Sequence, residues 1–493
     1  MLRSADMLTV LMVFVVTMLT AAAQSCHYLD RNPYRNFGIL TDYQAAKLSL
    51  ATYAIDTSYQ ATTLDCVVLS YWQFSREGTS LPEYGLVDPS TTDALLFLKT
   101  KIIESHQLGR GSLCAEDLSA LVSWTGPPVG VLEGVGELTS VGAHDLYATA
   151  RRYSSAFFGP VYDFSPASFR VVHSSSSASY SSALAILHGM TPPTSTSPHL
   201  GALTPQLYLR GSDDLTQYKC RLSSEVWRGA GGEEQEMVAG VTESVRVRLG
   251  LPEHLFGRGH LQWTYDACRA AVAVDPSAYS PWCAIFSKPE LELLELVDDS
   301  IWYRRLGLHR HNYEEMINYE LMPACRSLQH LMEYFRGIVE EGHFHQHRLT
   351  SARVIVSDAS ALLRLLAVLG VNAEATPVTA TDPAMLHHRR WRVSELAPFG
   401  GHLVLTLTRC HQQEFFVRAY LQETPFPILN CPTDCPWGVF LANVDHLLGY
   451  CPDVLHCPSS ANAVTAEDLV VLLLGVTIIL GVMWGRDGVL LSR

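Results

Sequence analysis

The sequence predicts an α/β protein in which a core sheet, flanked by helices, is divided by an inserted α-helical cap. Three observations carry that expectation. Strand-like and helix-like stretches alternate on both sides of the middle of the chain, the pattern of a mainly parallel sheet covered by helices. Residues 230–347 are mostly helical, with Leu328, Leu331, Met332 and Phe335 repeating at helical spacing. A late pair of strand patterns, 402–409 and 414–422, reads as a hairpin-like pair that adds antiparallel edge strands.

Each element follows from its residues. The run CVVLSYWQF at 66–74 is β-rich and apolar, which suits a strand buried on both faces. A helical stretch follows at 91–105, then a longer one at 138–157. Residues 169–172 form a short strand, and 180–188 return to helix. Residues 353–356 are a further strand, followed by a helix carrying Leu362, Leu363, Leu365 and Leu366. Ligands of open α/β sheets bind beyond the carboxyl ends of strands. The residues after Phe74, Val172 and Val356 are therefore the candidate site.

Composition narrows the function. Of 493 residues, 48% are hydrophobic and 17% charged, which excludes a disordered or collagen-like chain. Thirty-five basic residues stand against 49 acidic ones, a net charge of −14, and no basic run is interleaved with aromatics, so no nucleic-acid partner is expected.

The ends point to the secretory pathway. Arg3, an apolar run and Ala21-Ala22-Ala23 read as a signal peptide over 1–23, in preference to a membrane anchor. Residues 469–485 are uncharged and about long enough to span a bilayer. Arg486 opens a short tail, 486–493. That pattern predicts a single-pass type I helix at a cell or internal membrane, with the large domain luminal or extracellular. A lipid-anchor signal beginning at Ser459-Ser460-Ala461 is the alternative, disfavoured by the charged Arg486-Asp487. Between the ends the expected organisation is an α/β core over 24–229 and 348–458, interrupted by the cap at 230–347.

Twelve cysteines lie between Cys26 and Cys457, and an even number in an oxidising compartment reads as disulfides. The pairs Cys431/Cys435 and Cys451/Cys457 are read as loop disulfides, not zinc ligands. No N-glycosylation sequon occurs. His343, His345 and His347, and the run His387-His388-Arg389-Arg390, are read as solvated basic groups.

The strand ends carry Ser75-Arg76-Glu77-Gly78-Thr79-Ser80-Leu81-Pro82, His173 with the serines that follow it, and Ser357-Asp358-Ala359-Ser360. In order, with segments at 36–43, 138–153, 182–189, 280–286 and 394–399, they resemble the histidine acid phosphatase family, and most closely its multiple inositol polyphosphate phosphatase branch. The resemblance covers nearly the whole segment between the two ends. Its most specific single match is Ser280-Pro281-Trp282-Cys283-Ala284-Ile285-Phe286. It implies a histidine-phosphatase-like α/β core with a helical cap. It also implies a reaction in which a histidine after the first strand attacks phosphorus, while arginines and a second histidine hold the phosphate.

This sequence departs from that set position by position. Arg76 matches the first phosphate-binding arginine. The nucleophile position holds Glu77, not histidine. The two further arginine positions hold Ser80 and Ala178, the second histidine falls at Asp358, and the proton donor at Ser360. A phosphate approaching Glu77 would meet repulsion of about 4 kcal/mol per unit-charge pair at ~4 Å and an effective dielectric of ~20. Each charge-assisted hydrogen bond lost with the arginines is worth roughly 1.5–3 kcal/mol. These replacements predict a pseudophosphatase that acts by binding, with a protein partner of unknown identity. The alternative is an active phosphomonoesterase on inositol polyphosphates, which would require either a different register at the strand ends or Glu77 as nucleophile beside a metal. Two carboxylates, Glu77 and Asp358, are a thin basis for a metal site, so no metal and no cofactor are expected. The resemblance further implies three disulfides: Cys268 with Cys283, Cys451 with Cys457, and Cys66 with Cys410.

Overall fold

A computed structural model describes residues 26, 34–47, 66–80, 89–126, 136–158, 164–191, 209–211, 232–275, 280–306, 321, 323–342, 351–380, 382–410 and 414–451. The expected signal peptide, the apolar run at 469–485, Cys457, His343, His345 and His347, and both boundaries of the expected cap lie outside these. Among the described residues no helix is long and apolar enough to cross a membrane.

The strands are β1 (Val67–Arg76), β2 (Phe169–His173), β3 (Leu209–Gly211), β4 (Ser351–Ser357), β5 (His402–Arg409), β6 (Phe415–Leu421), β7 (Thr424–Phe426) and β8 (Cys435–Pro436). They form one sheet in the order β3-β2-β4-β1-β5-β6-β7, with β8 beside β6. The first four in that order run parallel, and β5 begins the antiparallel side. The expected hairpin is therefore present, but β5 is interior, because β1 flanks it on one side and β6 on the other.

The helices are α1 (Pro89–Gln107), α2 (Ala115–Ser123), α3 (Ser140–Phe157), α4 (Ser177–Met190), α5 (Gly232–Leu249), α6 (Arg258–Val274), α7 (Lys288–Leu306), α8 (Ala324–Gly342), α9 (Ala359–Val368), α10 (Pro383–His388), α11 (Val393–Leu396) and α12 (Trp437–Leu448). They cover both sheet faces. Tyr71 packs with Leu146, Ala150 and Tyr153 of α3 and with Ile186 and Leu187 of α4. Trp72 and Phe74 join a larger core with Val241 and Val245 of α5, Leu294 of α7 and Leu328, Leu331, Met332 and Phe335 of α8. Successive residues of a strand point to opposite faces. Leu69 shares the face of Trp72 because the β1–β5 register slips between Val68 and Ser70, a bulge that inserts one residue.

Two glycines set how α3 and α4 approach the sheet edge. A Cβ on Gly142 would lie 2.4 Å from the Thr79 amide nitrogen, and one on Gly189 would lie 2.5 Å from the Tyr147 carbonyl oxygen. The small residues let α3 touch the loop after β1 and let α4 lie against α3. Ser182 of α4 accepts the Gly78 amide at 3.1 Å, so the same two helices hold that loop from both sides.

The disulfides report the same packing. Cys268–Cys283 forms with its Cα atoms 4.6 Å apart, and Cys66–Cys410 clasps the antiparallel β1–β5 pair at its end. Cys431–Cys435 closes a short loop, and Cys26–Cys114 was not anticipated. The Cys451–Cys457 pairing is corrected, because Cys451 bonds Cys325 across 126 residues. The cause is helix packing. Phe335 and Trp437 meet edge to face, Arg336 pairs with Asp445, and the start of α8 is thereby brought to the end of α12.

Arg389 is a second correction. His387, His388 and Arg390 are exposed, but Arg389 is buried. Its Nε lies 2.7 Å from Asp299 and its Nη2 2.7 Å from Glu295, two carboxylates one turn apart on α7. Arg392, Tyr34 and Ser394 also reach Glu295, and the Val393 amide donates to Asp299. Burial pushes the Asp299 carboxyl up to about 7 against the opposing pull of Arg389. This cluster joins α7 to the 389–394 segment and to the N-terminal residues.

Glu423 makes a second joint from the turn between β6 and β7, where Gln422 and Glu423 both adopt positive φ. Its carboxylate accepts from Tyr43 at 2.6 Å, Lys47 at 2.9 Å and Arg152 Nε at 2.6 Å. The hydrogen bonds from Arg152, Tyr43 and Lys47 outweigh desolvation and hold its carboxyl down at about 2.

Two outcomes follow. Arg389→Met leaves two buried carboxylates without their shared cation and should lower stability to chemical denaturation by about 3–5 kcal/mol. Glu423 has a folded pKa of about 2, below its unfolded value of about 4.3. Its contribution is therefore present above pH ~4.3 and lost as pH falls through about 2. Glu423→Gln should be less stable than wild type by about 1–2 kcal/mol at neutral pH, since solvent screens its half-exposed partners, and the gap should close in acid melts.

Candidate functional site

The parallel register delivers the candidate residues to one edge. Arg76 stands opposite Ser357 and His173 opposite Val356, so β1, β2 and β4 end side by side. The chain stays hydrogen-bonded one residue beyond each strand. The Glu77 amide donates to the Ser357 carbonyl at 3.0 Å and the Ser174 amide to the Val356 carbonyl at 3.1 Å. On the other side of β1, Gly400 donates to the Glu77 carbonyl at 2.8 Å.

Arg76 is the last residue of β1 and is 4% exposed. Its guanidinium lies 4.0 Å over the Phe399 ring. Nη1 donates to the Ala397 carbonyl at 2.8 Å and to the Ile39 carbonyl, while Nε has no hydrogen-bond partner among the described residues. Desolvation pulls its pKa down to about 10, with Glu77 and Asp358 opposing the shift. It remains a cation at neutral pH.

Glu77 is partly exposed. Its Oε2 accepts the Ser179 hydroxyl at 3.0 Å and the Ser176 hydroxyl at 3.3 Å. Ser176 caps α4, its side chain accepting the Ser179 amide at 3.0 Å, and Ser174 donates to the Ser179 hydroxyl at 2.7 Å. Desolvation raises the Glu77 pKa. Arg76 lowers it, Asp358 raises it, and the two serine hydroxyls lower it.

Asp358 is the N-cap of α9, where it accepts the Ala361 amide at 2.9 Å and the Ser360 hydroxyl at 2.7 Å. Ser360 in turn accepts from Arg364 at 3.0 Å. Ser80 is buried where the loop bridges to Leu138, and Ala178 is buried in the first turn of α4. The structure therefore brings Arg76, Glu77 and Asp358 into one electrostatic neighbourhood, while Ser80 and Ala178 flank it without charge. His173 turns its Nδ1 to the Ser174 carbonyl at 2.7 Å and packs edge-on against Tyr180.

In the sequence Ser174, Ser176 and Ser179 stand out only as part of the serine run after His173. A serine three residues ahead of another, just before an apolar helix, is a capping signal that could have singled them out. The cluster of Cys26, Cys114 and Glu116 has metal-like spacing, but its two sulfurs are joined in a disulfide.

No family model matches the chain. It is 24% identical over 417 residues to multiple inositol polyphosphate phosphatase 1 of Drosophila melanogaster, covering 81% of this chain and 83% of the relative. The enzyme of that name from Gallus gallus is 24% identical over 392 residues, covering 77% and 80%. The chain is thus similar over about four-fifths of its length to proteins named multiple inositol polyphosphate phosphatase 1. Its fold matches that of histidine acid phosphatases. A phytase from D. castellii superposes with a TM-score of 0.57 at 13% identity, covering 80% of this chain and 82% of that one. The multiple inositol polyphosphate phosphatase of Bifidobacterium longum, complexed with inositol hexasulfate, superposes with a TM-score of 0.53 at 12% identity, covering 80% and 93%.

Desolvation holds the Glu77 pKa above its unfolded value. A carboxyl raised in this way costs the folded state nothing below the unfolded pKa; the cost grows as pH rises from the unfolded to the folded pKa and is constant above it. Glu77→Gln should therefore be more stable than wild type at pH 7–8, and the advantage should vanish below about pH 4. Thermal melts across that range read the difference.

Proposed function

We propose that the protein is a phosphatase-fold binding protein that does not dephosphorylate inositol polyphosphates. The observation that carries this reading is the Glu77 carboxylate at the end of β1, hydrogen-bonded by Ser176 and Ser179. A phosphohistidine requires an imidazole at that place, and a carboxylate there repels the group it would have to attack. Arg76, the arginine next to it, directs Nη1 at backbone carbonyls. Ser80 and Ala178 supply no cation, and loss of one preorganised donor typically costs about 10²–10³ in rate.

The same reading places the protein in the secretory pathway, held at a membrane by residues 469–485. The disulfides support an oxidising compartment. A protein ligand is the partner proposed.

The names of the relatives favour a second reading, hydrolysis of inositol polyphosphates with Glu77 as nucleophile. Phosphate release from inositol hexakisphosphate separates the two, using wild type and Glu77→Ala with and without Mg²⁺. The binding-protein reading expects no release above background from either. Release by wild type that disappears in Glu77→Ala would establish a carboxylate nucleophile in its place. Glu77→His alone should stay inactive, because the phosphate would still lack its clamp.

A further inference from the structure

His402 opens β5 and is 1% exposed, a buried imidazole outside the candidate site. Its Nδ1 lies 2.9 Å from the Gly400 carbonyl and its Nε2 3.0 Å from the Tyr153 hydroxyl. A carbonyl only accepts, so Nδ1 carries the proton and Nε2 accepts from Tyr153. That pattern fits the neutral ring. A second proton, on Nε2, would meet the Tyr153 O–H, and Tyr153 makes no other hydrogen bond among the described residues through which to turn away. The ring also stacks on Tyr43, with centroids 5.7 Å apart, and meets Tyr153 edge-on at 5.4 Å. Charge around this pocket comes from Lys47 of the N-terminal residues, Arg152 of α3 and Glu423 of the β6–β7 turn, and Glu423 is already engaged by both cations and by Tyr43. Strand β6 adds Tyr420, packed on Tyr153, and β1 sets Ser75 opposite His402. Burial lowers the His402 pKa, the Gly400 carbonyl and Glu423 oppose the shift, and Arg152 and Lys47 add to it.

Backbone bonds connect this ring to two distant segments. The Gly400 amide donates to the Glu77 carbonyl at 2.8 Å, and the Gly401 carbonyl accepts the Arg76 amide at 2.7 Å. The His402 amide donates to the Gln422 side chain at 3.2 Å, next to Glu423. We propose that His402 is a proton-operated latch: the neutral ring fastens the 400–402 turn between the end of β1 and the β6–β7 turn, and in acid the protonated ring leaves its pocket and the turn opens. The latch holds whether the protein binds or hydrolyses its ligand. Because the closed form lowers the pKa below the ordinary ~6.5, the open form takes up a proton that the closed form refuses. Opening is therefore favoured as pH falls from ~6.5 to the closed-state pKa, and its frequency levels off below that. At pH ~5.5 an open-state imidazole of pKa ~6.5 makes opening up to about tenfold more frequent. That is the range in which buried histidines act as switches in acid compartments.

Hydrogen exchange of the full chain, read by mass spectrometry at about pH 7.5, 6.5 and 5.5, tests the latch, with each rate divided by its intrinsic value. Residues 399–404 report the turn, and residues 351–357 of β4 serve as the control. In wild type, opening at 399–404 should become about threefold to tenfold more frequent between pH ~7.5 and ~5.5, while β4 stays within about twofold. His402→Gln keeps an acceptor for Tyr153 and takes up no proton, and His402→Asn keeps a donor for Gly400. Each variant should hold 399–404 constant within about twofold across the range. The latch is overturned by a wild type that shows no rise, by an equal rise in β4, or by a rise of wild-type size that persists in either variant. If neither variant folds, the contrast between the two segments in wild type decides.

Discussion

The central position of β1 is the constraint on which the rest of the structure depends. It pairs parallel with β4 on one side and antiparallel with β5 on the other. Tyr71 enters the core on one face of the sheet, while Trp72 and Phe74 enter the core on the other. A strand buried on both faces and bonded on both edges has no direction in which to slip without disturbing two cores. Arg76 and Glu77 at its end are consequently held by backbone bonds to Ser357, Gly400 and Gly401 before any side chain acts.

Buried charge secures what β1 does not reach. Glu295 and Asp299 on α7 share Arg389, and Glu423 gathers Tyr43, Lys47 and Arg152. Neither cluster is strong evidence for net stability, because desolvation offsets much of the attraction between buried ions. Their effect is positional. A buried carboxylate is tolerated only where its donors are, so each cluster ties segments distant in sequence to one register.

The polar groups at the carboxyl edge satisfy one another. Arg76 faces carbonyls and an aromatic ring, Glu77 faces serine hydroxyls, and Asp358 caps a helix. Ordinary rules of capping and desolvation account for each contact. What remains distinctive is a carboxylate at the end of the central strand in a chain similar to proteins named multiple inositol polyphosphate phosphatase 1. An inherited scaffold and the chemistry of its edge residues are separable properties.

Local pattern in the chain reveals the five longer strands, the main flanking helices and the identity of the edge residues, but not the short strands β3, β7 and β8. Hydrophobic runs and helical repeats depend on local spacing, which is why the 402–409 and 169–172 patterns were recovered nearly to the residue. The frame of Arg76 and Gly78 was legible for the same reason, and Gly142 and Gly189 show why its neighbours carry small residues. Which residues become partners is set by packing. Cys451 lies six residues from Cys457 but bonds Cys325, because α8 packs against α12. Arg389 sits in a run of exposed basic residues, yet it turns inward to two carboxylates ninety or more residues away in sequence. The serines that hold Glu77 meet it only because the parallel register sets the start of α4 beside the end of β1. Partner choice depends on which surfaces meet when distant segments pack, and no local pattern carries that information.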